Sequence, residues 1–153
     1  MYSAAMAIGG SNGRWYAAAW WVAVAVWMVV IFALSSQPDG DPGGGRELPL
    51  GAYKLAHFVE FGVLGLLLSG AFRQTHVPRA AWWAWVVVVV YAISDEIHQA
   101  YVPGRSPLLS DIAIDAAGGL LGVLAYTPLE VVREWRARRH HERQSRQARE
   151  ETE

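Results

Sequence analysis

The chain has 153 residues, enough for one domain, and 53% of them are hydrophobic whereas 18% are charged. Its net charge is −1, so no overall basic field indicates a nucleic-acid partner. It contains no cysteine, which excludes disulfides, thiolate nucleophiles and metal sites with cysteine ligands.

The first long apolar segment is predicted to cross a membrane. It follows a short N-terminal segment, residues 1–14, and runs over residues 15–34 without a charge. A helix needs about 20 apolar residues to cross the hydrocarbon layer of a bilayer. A cleaved signal peptide usually has an apolar region of about 7–15 residues behind a basic start. This run is longer and its start is nearly neutral, so we interpret it as a retained first helix.

Three further helices are predicted downstream. Residues 35–51 are rich in Gly, Pro and Asp and are predicted to form a loop. The predicted helices 2, 3 and 4 cover residues 52–72, 80–99 and 109–126, and Pro128 follows the last one. The five valines of residues 86–90 could form a buried strand, but lipid does not tolerate an open strand edge, so we predict a helix there.

These segments predict an all-α membrane protein, a four-transmembrane-helix bundle with short loops and a charged C-terminal tail. The predicted parts are the N-terminal segment 1–14, the membrane domain 15–128 and the tail 129–153. We find no internal repeat.

Basic residues predict the orientation. Ten Lys and Arg lie in the N-terminal segment, the 73–79 loop and the tail, and three lie in or near the loops on the other side. Basic residues are enriched on the cytoplasmic side of membrane proteins. Both termini are therefore predicted to be cytoplasmic, and the 35–51 and 98–109 loops to face outward.

Most ionisable residues of helices 2, 3 and 4 stand at the predicted outer end. They are Lys54, His57 and Glu60 in helix 2, Asp95, Glu96 and His98 in helix 3, and Asp111 and Asp115 in helix 4, with Gln99 and Arg105 nearby. At about 1.5 Å rise per residue, Glu60, Asp95 and Asp115 reach a similar depth. The two aspartates share a helix face with the Gly118-xxx-Gly122 motif, which is typical of close helix packing. They are therefore predicted to point into the bundle.

A charge inside the hydrocarbon costs at least about 2.5–3.5 kcal/mol, so such residues must be paired, protonated or hydrated. The group predicts a polar pocket open to the outside, with a structural salt-bridge cluster as the alternative. Taken alone, Lys54 is more often an end residue that reaches the interface, and Asp111 is equally well explained by the dipole at a helix start.

Ordered motifs stand at these helix ends. They read Ser35-Ser36-Gln37, Lys54-Leu-Ala-His57-Phe-Val-Glu60-Phe61, Ser94-Asp95-Glu96-Ile97-His98-Gln99, Val102-Pro103-Gly104-Arg105-Ser106, and Asp111-Ile-Ala-Ile-Asp115 followed by Gly118. Together they resemble the VanZ-like family over about residues 28–126. One departure is Phe61, where members often carry Tyr. The resemblance implies a multi-pass protein of the bacterial plasma membrane. The founding member is associated with low-level resistance to the glycopeptide teicoplanin, and no reaction is firmly assigned to the family.

The first functional hypothesis is an outward-facing pocket that binds or modifies an envelope lipid or a lipid-linked cell-wall intermediate, with a link to teicoplanin resistance. Lys54 and Arg105 would hold a phosphate or carboxylate, and His57 with Glu60 or Asp95 would form a general acid–base pair. The candidate catalytic residues are His57, Glu60, Asp95, Glu96, Asp111 and Asp115, and the candidate substrate-binding residues are Lys54, His98, Gln99 and Arg105.

Other functions stay open. A metal variant would use His57, Glu60, Asp95 and His98, but the chain has no His-Glu-x-x-His motif, so we predict neither a metal nor another cofactor. A non-enzymatic membrane factor is the second hypothesis, and a proton or ion relay is the third. The nearly apolar inner halves of the helices argue against a relay. The expected partners are the membrane and a lipid, not nucleic acid, and a homo-oligomer is left open.

Overall fold

The computed structural model describes residues 5–37, 50–105, 108–126 and Arg139, with side chains from Arg14 onward in the first helix and from Gly51 in the second. These residues contain no strand and form four helices: α1 Ala5–Ser35, α2 Leu50–Gln74, α3 Ala80–Gln99 and α4 Leu109–Tyr126. All four are long and apolar enough to cross a membrane. The prediction of an all-α bundle with four transmembrane helices is confirmed.

The observed helix bounds differ from the predicted ones mainly in α1. The bounds of α3 and the start of α4 are those predicted, and α4 covers its predicted range up to Tyr126, where this described range ends. α2 is two residues longer at each end. α1 begins at Ala5, ten residues before the predicted start, and it includes Ser35, which was predicted to lie in a loop. The prediction took the charge-free run as the helix. The helix continues through the polar segment before it because extending an existing helix needs no new nucleation. Most of the predicted 35–51 loop and of the tail lies outside the described residues.

Glycine contacts bring α2 and α4 into close backbone contact. A Cβ on Gly122 would overlap the carbonyl oxygen of Gly62, and a Cβ on Gly65 would overlap that of Gly119. On α4, a Cβ on Gly118 would overlap the carbonyl oxygen of Phe58. The Gly118-xxx-Gly122 motif therefore packs directly against α2, as its spacing predicts.

Larger side chains join α1 to α2 and to α3. The indole of Trp27 in α1 donates to the carbonyl oxygen of Glu60 in α2 at 2.9 Å. The hydroxyl of Tyr91 in α3 donates to the carbonyl oxygen of Met28 in α1 at 2.6 Å. These polar groups reach backbone acceptors inside apolar packing, which satisfies them without water.

The exposed side surface of the bundle, which runs along the helices, is apolar. Val22, Val26 and Val29 of α1 are more than half exposed, as are Val90 of α3 and Leu124 of α4. A surface of this kind on four long apolar helices is the one that lipid covers.

The C-terminal ends of α1 and α3 meet the N-terminal ends of α2 and α4, because consecutive helices run in opposite directions. We call this the polar end of the bundle, since the candidate residues lie there. The opposite end carries the connection between α2 and α3, residues 75–79.

Candidate functional site

One face of α3 is buried along its whole length and ends in polar residues. Its apolar members are Ala80, Ala84, Val88 and Ala92. The same face continues through Asp95 and Gln99, of which 3% and 4% are exposed. Side chains three or four residues apart share a helix face, so this carboxylate and amide point into the bundle rather than into lipid.

Asp95 is held by donors from two helices. The hydroxyl of Ser35 in α1 donates to Oδ2 of Asp95 at 2.8 Å, and the amide of Gln99 donates to the same oxygen at 2.7 Å. The other oxygen, Oδ1, is buried and accepts no hydrogen bond from the described residues. A buried carboxylate oxygen without a donor is costly. One oxygen is thus fixed by the protein, and the other is available to a donor from elsewhere.

His98 also contacts α1, beside this carboxylate. Its Nε2 lies 2.9 Å from the hydroxyl of Ser36. Its ring stacks on Phe32 with ring centroids 4.2 Å apart. The contacts hold the imidazole against the end of α1, so His98 joins these two helices.

A second buried pair joins α2 to α4. Nδ1 of His57 lies 3.4 Å from Oδ1 of Asp115, and the two side chains are 11% and 1% exposed. Neither atom makes a hydrogen bond of good geometry with the described residues. Gly118 packs closely against the backbone of Phe58, which follows His57 directly, and Gly118 itself lies one helical turn after Asp115. The glycine packing of α4 therefore sets the separation of the imidazole and the carboxylate.

A second, more exposed ion pair lies nearer the helix ends than this buried pair, and we call its position the rim. Nζ of Lys54 lies 3.6 Å from Oδ1 of Asp111, with 33% and 21% of the two side chains exposed. The hydroxyl of Ser110 donates to the same carboxylate oxygen at 3.1 Å. Lys54 and His57 are three residues apart on α2, and Asp111 and Asp115 are four residues apart on α4. The two ion pairs therefore lie one turn apart along these helices.

The other candidate residues take different places at this end. Nε of Arg105 donates to the carbonyl oxygen of Gln37 at 3.0 Å, which links the end of α1 to the α3–α4 connection. Glu96 is buried, and one of its oxygens accepts a hydrogen bond from the backbone nitrogen of Leu108 just before α4. Glu60 is half-buried, and its carboxylate makes no hydrogen bond or salt bridge within the described residues, although it interacts electrostatically with His57, Asp95, Asp115 and Arg105.

Below the polar residues the bundle is apolar. Ile31 of α1, Phe61 and Leu64 of α2, and Val88 of α3 are fully buried. On α2 the next polar residue after Glu60 is Ser69, about 13 Å further along the helix axis. Among the described residues, the polar groups at this end thus stand above an apolar floor.

Comparison with known families decides the assignment that the motifs indicated. The model of the VanZ/LLP1 family matches residues 20–132, about three quarters of the chain. The chain belongs to the VanZ/LLP1 family. No curated protein and no solved structure gave a significant match.

The region matched to the VanZ/LLP1 family contains every candidate site residue, from Lys54 to Asp115. The structure brings them to one end of the bundle in two neighbouring groups. The α1–α3 group contains Asp95, His98 and Gln99, and the α2–α4 group contains Lys54, His57, Asp111 and Asp115.

Sequence reasoning assigned no part in the site to α1. Ser35 and Ser36 were noted only as part of the family resemblance, yet their hydroxyls contact Asp95 and His98. The signal that could have found them is two hydroxyl residues at the end of an apolar span, level with the carboxylates of α3. Among the described residues, no group of three His, Asp or Glu side chains is arranged to hold a metal ion.

Proposed function

We propose that this VanZ/LLP1 family member binds the polar headgroup of an envelope lipid or of a lipid-linked cell-wall intermediate at the polar end of its bundle. In this proposal the protein lies in a bacterial plasma membrane with both termini in the cytoplasm, and the polar end faces outward. The observation that carries the proposal is a buried Asp95 with one oxygen unpartnered, at the same end of the bundle as a buried His57–Asp115 pair.

Asp95 is suited to receive a donor from the headgroup. Ser35 and Gln99 both donate to Oδ2, so the carboxylate cannot rotate without losing two hydrogen bonds. Oδ1 is left as a buried acceptor, and a hydroxyl or ammonium group of a ligand would satisfy it. A fixed, unsatisfied acceptor is expensive in a purely structural role, since a nonpolar residue would fill the same space at lower cost.

His57 is suited to exchange a proton with a bound headgroup. An imidazole beside a buried carboxylate is the usual arrangement of a general base and the group that orients it. The pair lies on α2 and α4, whose separation is fixed by backbone contact at the glycines. We therefore propose His57 as the proton-transfer group and Asp115 as its positioning residue.

The rim of the site would hold the negative part of the headgroup. Lys54 is a third exposed and pairs with Asp111 at 3.6 Å, which is longer than a strong charge-assisted hydrogen bond. A phosphate or carboxylate arriving at the rim can take this ammonium group as its partner. Arg105, which stands at the same end, is the second proposed anion contact.

The apolar floor favours this function over an ion or proton relay. A relay needs polar groups or water along the full depth of the membrane. The described residues of α2 between Glu60 and Ser69 carry no polar side chain. A site that ends on Phe61 and Leu64 admits a headgroup from one side only.

The proposed chemistry is tested by the envelope lipids of a host that lacks its own copy of the protein. Lipids and lipid-linked intermediates are compared by mass spectrometry for the empty host, the wild type, His57→Gln and the matched control Ser94→Ala. Ser94 is exposed on α3, beside Asp95 in sequence but on another face. We expect a species altered by the wild type and by Ser94→Ala but not by His57→Gln. Identical lipids in all four strains would show that the protein modifies no headgroup.

A link to teicoplanin resistance is a further part of the proposal. It is tested by the teicoplanin susceptibility of the same four strains. Susceptibility that does not change between the empty host and the wild type would exclude the link without affecting headgroup binding.

A further inference from the structure

The opposite end of the bundle carries a groove that the proposed function does not use. It lies where α2 ends and α3 begins, and it is an open depression with a volume of about 670 Å³. That volume is within the range of about 300–1,000 Å³ found for small-ligand sites. The lining residues are Arg73, Gln74, His76, Val77, Arg79 and the first residues of α3. We call it the basic groove.

The basic groove is lined by cationic and hydrogen-bond-donating side chains without an acidic residue among them. Two of them are arginines, whose planar guanidinium groups match the oxygens of a phosphate. The guanidinium of Arg73 lies over the ring of Tyr126, 5.6 Å from its centroid. Tyr126 is 3% exposed and packs edge-on against Trp20, so Arg73 is oriented by a fixed aromatic group.

Two of the lining residues adopt a backbone conformation that usually belongs to glycine. His76 and Arg79 have φ values of 55° and 56°. At the end of α2, His76 N donates to Arg73 O and Val77 N donates to Phe72 O, both at 3.0 Å. This pattern closes many helices, and glycine is the common residue at the position of His76. The chain thus places a side chain at two strained positions, and both side chains line the groove.

Two exposed tryptophans beside the groove indicate the level of lipid headgroups. Trp82 and Trp83, in the first turn of α3, are 56% and 47% exposed. Tryptophan is enriched where the hydrocarbon meets the headgroups. The groove residues directly precede these two rings in the sequence. We therefore expect the groove to lie near the phosphates of membrane lipids.

From the charge, volume, fixed backbone and membrane level of this groove, we propose that it binds the phosphate of an anionic phospholipid headgroup through Arg73, His76 and Arg79. The proposal does not rest on the function proposed for the polar end.

The test uses the full-length protein in detergent, titrated with phosphatidylglycerol and, as the zwitterionic reference, with phosphatidylcholine. Bound lipid is counted by native mass spectrometry for the wild type, Arg79→Gln, His76→Gly and Arg14→Gln. Arg14 is an exposed arginine at the same end of the bundle that does not line the groove, so it controls for loss of one positive charge. Inorganic phosphate is added in a separate arm as the soluble competitor.

We expect phosphatidylglycerol to bind more tightly than phosphatidylcholine and to lose about tenfold in affinity in Arg79→Gln, the effect of one charge-assisted hydrogen bond. Arg14→Gln should bind like the wild type. His76→Gly should bind less lipid while melting at a higher temperature, because glycine adopts this backbone without strain. A structural role for His76 would not lower lipid binding while raising stability.

Two results would overturn the proposal. Equal losses in Arg14→Gln and Arg79→Gln would mean that diffuse surface charge, not the groove, attracts the lipid. Binding of inorganic phosphate that depends on Arg79, together with no preference for phosphatidylglycerol, would mean that the ligand is a soluble phosphate.

Discussion

The hydroxyl of Ser35 donates to Oδ2 of Asp95 at 2.8 Å, across 60 residues of sequence, and both side chains are almost fully buried. This contact joins the end of α1 to the end of α3. It also fixes the carboxylate whose second oxygen is unpartnered. The arrangement of the polar end therefore depends on a helix that contributes no ionisable residue to it.

Ser35→Ala is expected to destabilise the protein. It removes one of the two donors to a buried carboxylate oxygen, and a hydrogen bond to a charged group contributes about 1.5–3 kcal/mol. The melting temperature in detergent should fall clearly. Ser94→Ala, the exposed serine of α3, is the control and should melt like the wild type. Equal melting temperatures for the two variants would mean that the contact contributes little.

Gly122→Ala is expected to separate α2 from α4. Its Cβ would overlap the backbone of Gly62, and backbone atoms cannot move aside as a flexible side chain can. Overpacking of this kind costs about 1–3 kcal/mol, and the same shift would part His57 from Asp115. Gly51→Ala is the control, because a Cβ there meets no atom within 4 Å. A Gly122→Ala protein as stable as Gly51→Ala would contradict the close packing of the two helices.

Both termini are expected to be cytoplasmic. Ten of the thirteen Lys and Arg lie on the side of the termini and the 73–79 loop. A reporter that is active only on the non-cytoplasmic side of the membrane should be inactive when fused at the C-terminus and active when fused at Gly44. Because the chain has no cysteine, single cysteines at Ser36 and Gln74 offer a second readout with an impermeant thiol reagent. Labelling from outside at Gln74 but not at Ser36 would reverse the orientation.

The tail is expected to be dispensable for the fold and the polar end. After Trp135 the sequence is polar all round, with no apolar stripe that would pack on the bundle. A chain ending before Arg138 should insert and melt like the full length. It should bind anionic membranes less tightly, since each arginine near such a surface contributes about 1 kcal/mol. Failure of the shortened chain to fold in detergent would show that the tail is part of the domain.

Much of this fold follows from the sequence, because lipid limits the choice. A segment of 18 to 20 mostly apolar residues between helix breakers can cross a bilayer only as a helix, unless it closes into a barrel, which is why the bounds of α3 and the start of α4 were predicted correctly. The inward direction of Asp111 and Asp115 followed from the glycines on their helix face. The start of α1 did not follow, because outside the hydrocarbon a helix can end at many places with little difference in free energy.

The pairing of the site residues could not be predicted. Helical periodicity gives the face and depth of a side chain but not the rotation of one helix against another. Whether Lys54 meets Asp111 or Asp115 therefore depends on the α2–α4 glycine contact, which a sequence pattern alone does not position. For the same reason the sequence pattern did not predict that an oxygen of Glu96 accepts a hydrogen bond from the backbone nitrogen of Leu108.

The central claim is that the polar end binds a headgroup through Asp95, and native mass spectrometry of lipids that co-purify with the protein tests it most directly. In Asp95→Asn, Ser35 and Gln99 would donate to the amide oxygen. The amide nitrogen, a donor, would then stand where Oδ1 is proposed to accept from the headgroup. Insertion should be normal or easier, because a charge has been removed from the membrane. The comparison is made in an Arg79→Gln background, so that lipid in the basic groove does not obscure the result. We predict that the Arg79→Gln parent and its Ser94→Ala derivative retain a lipid that the Asp95→Asn derivative, expressed at the same level, has lost. Retention of the same lipid to the same extent by the Asp95→Asn derivative would contradict the claim.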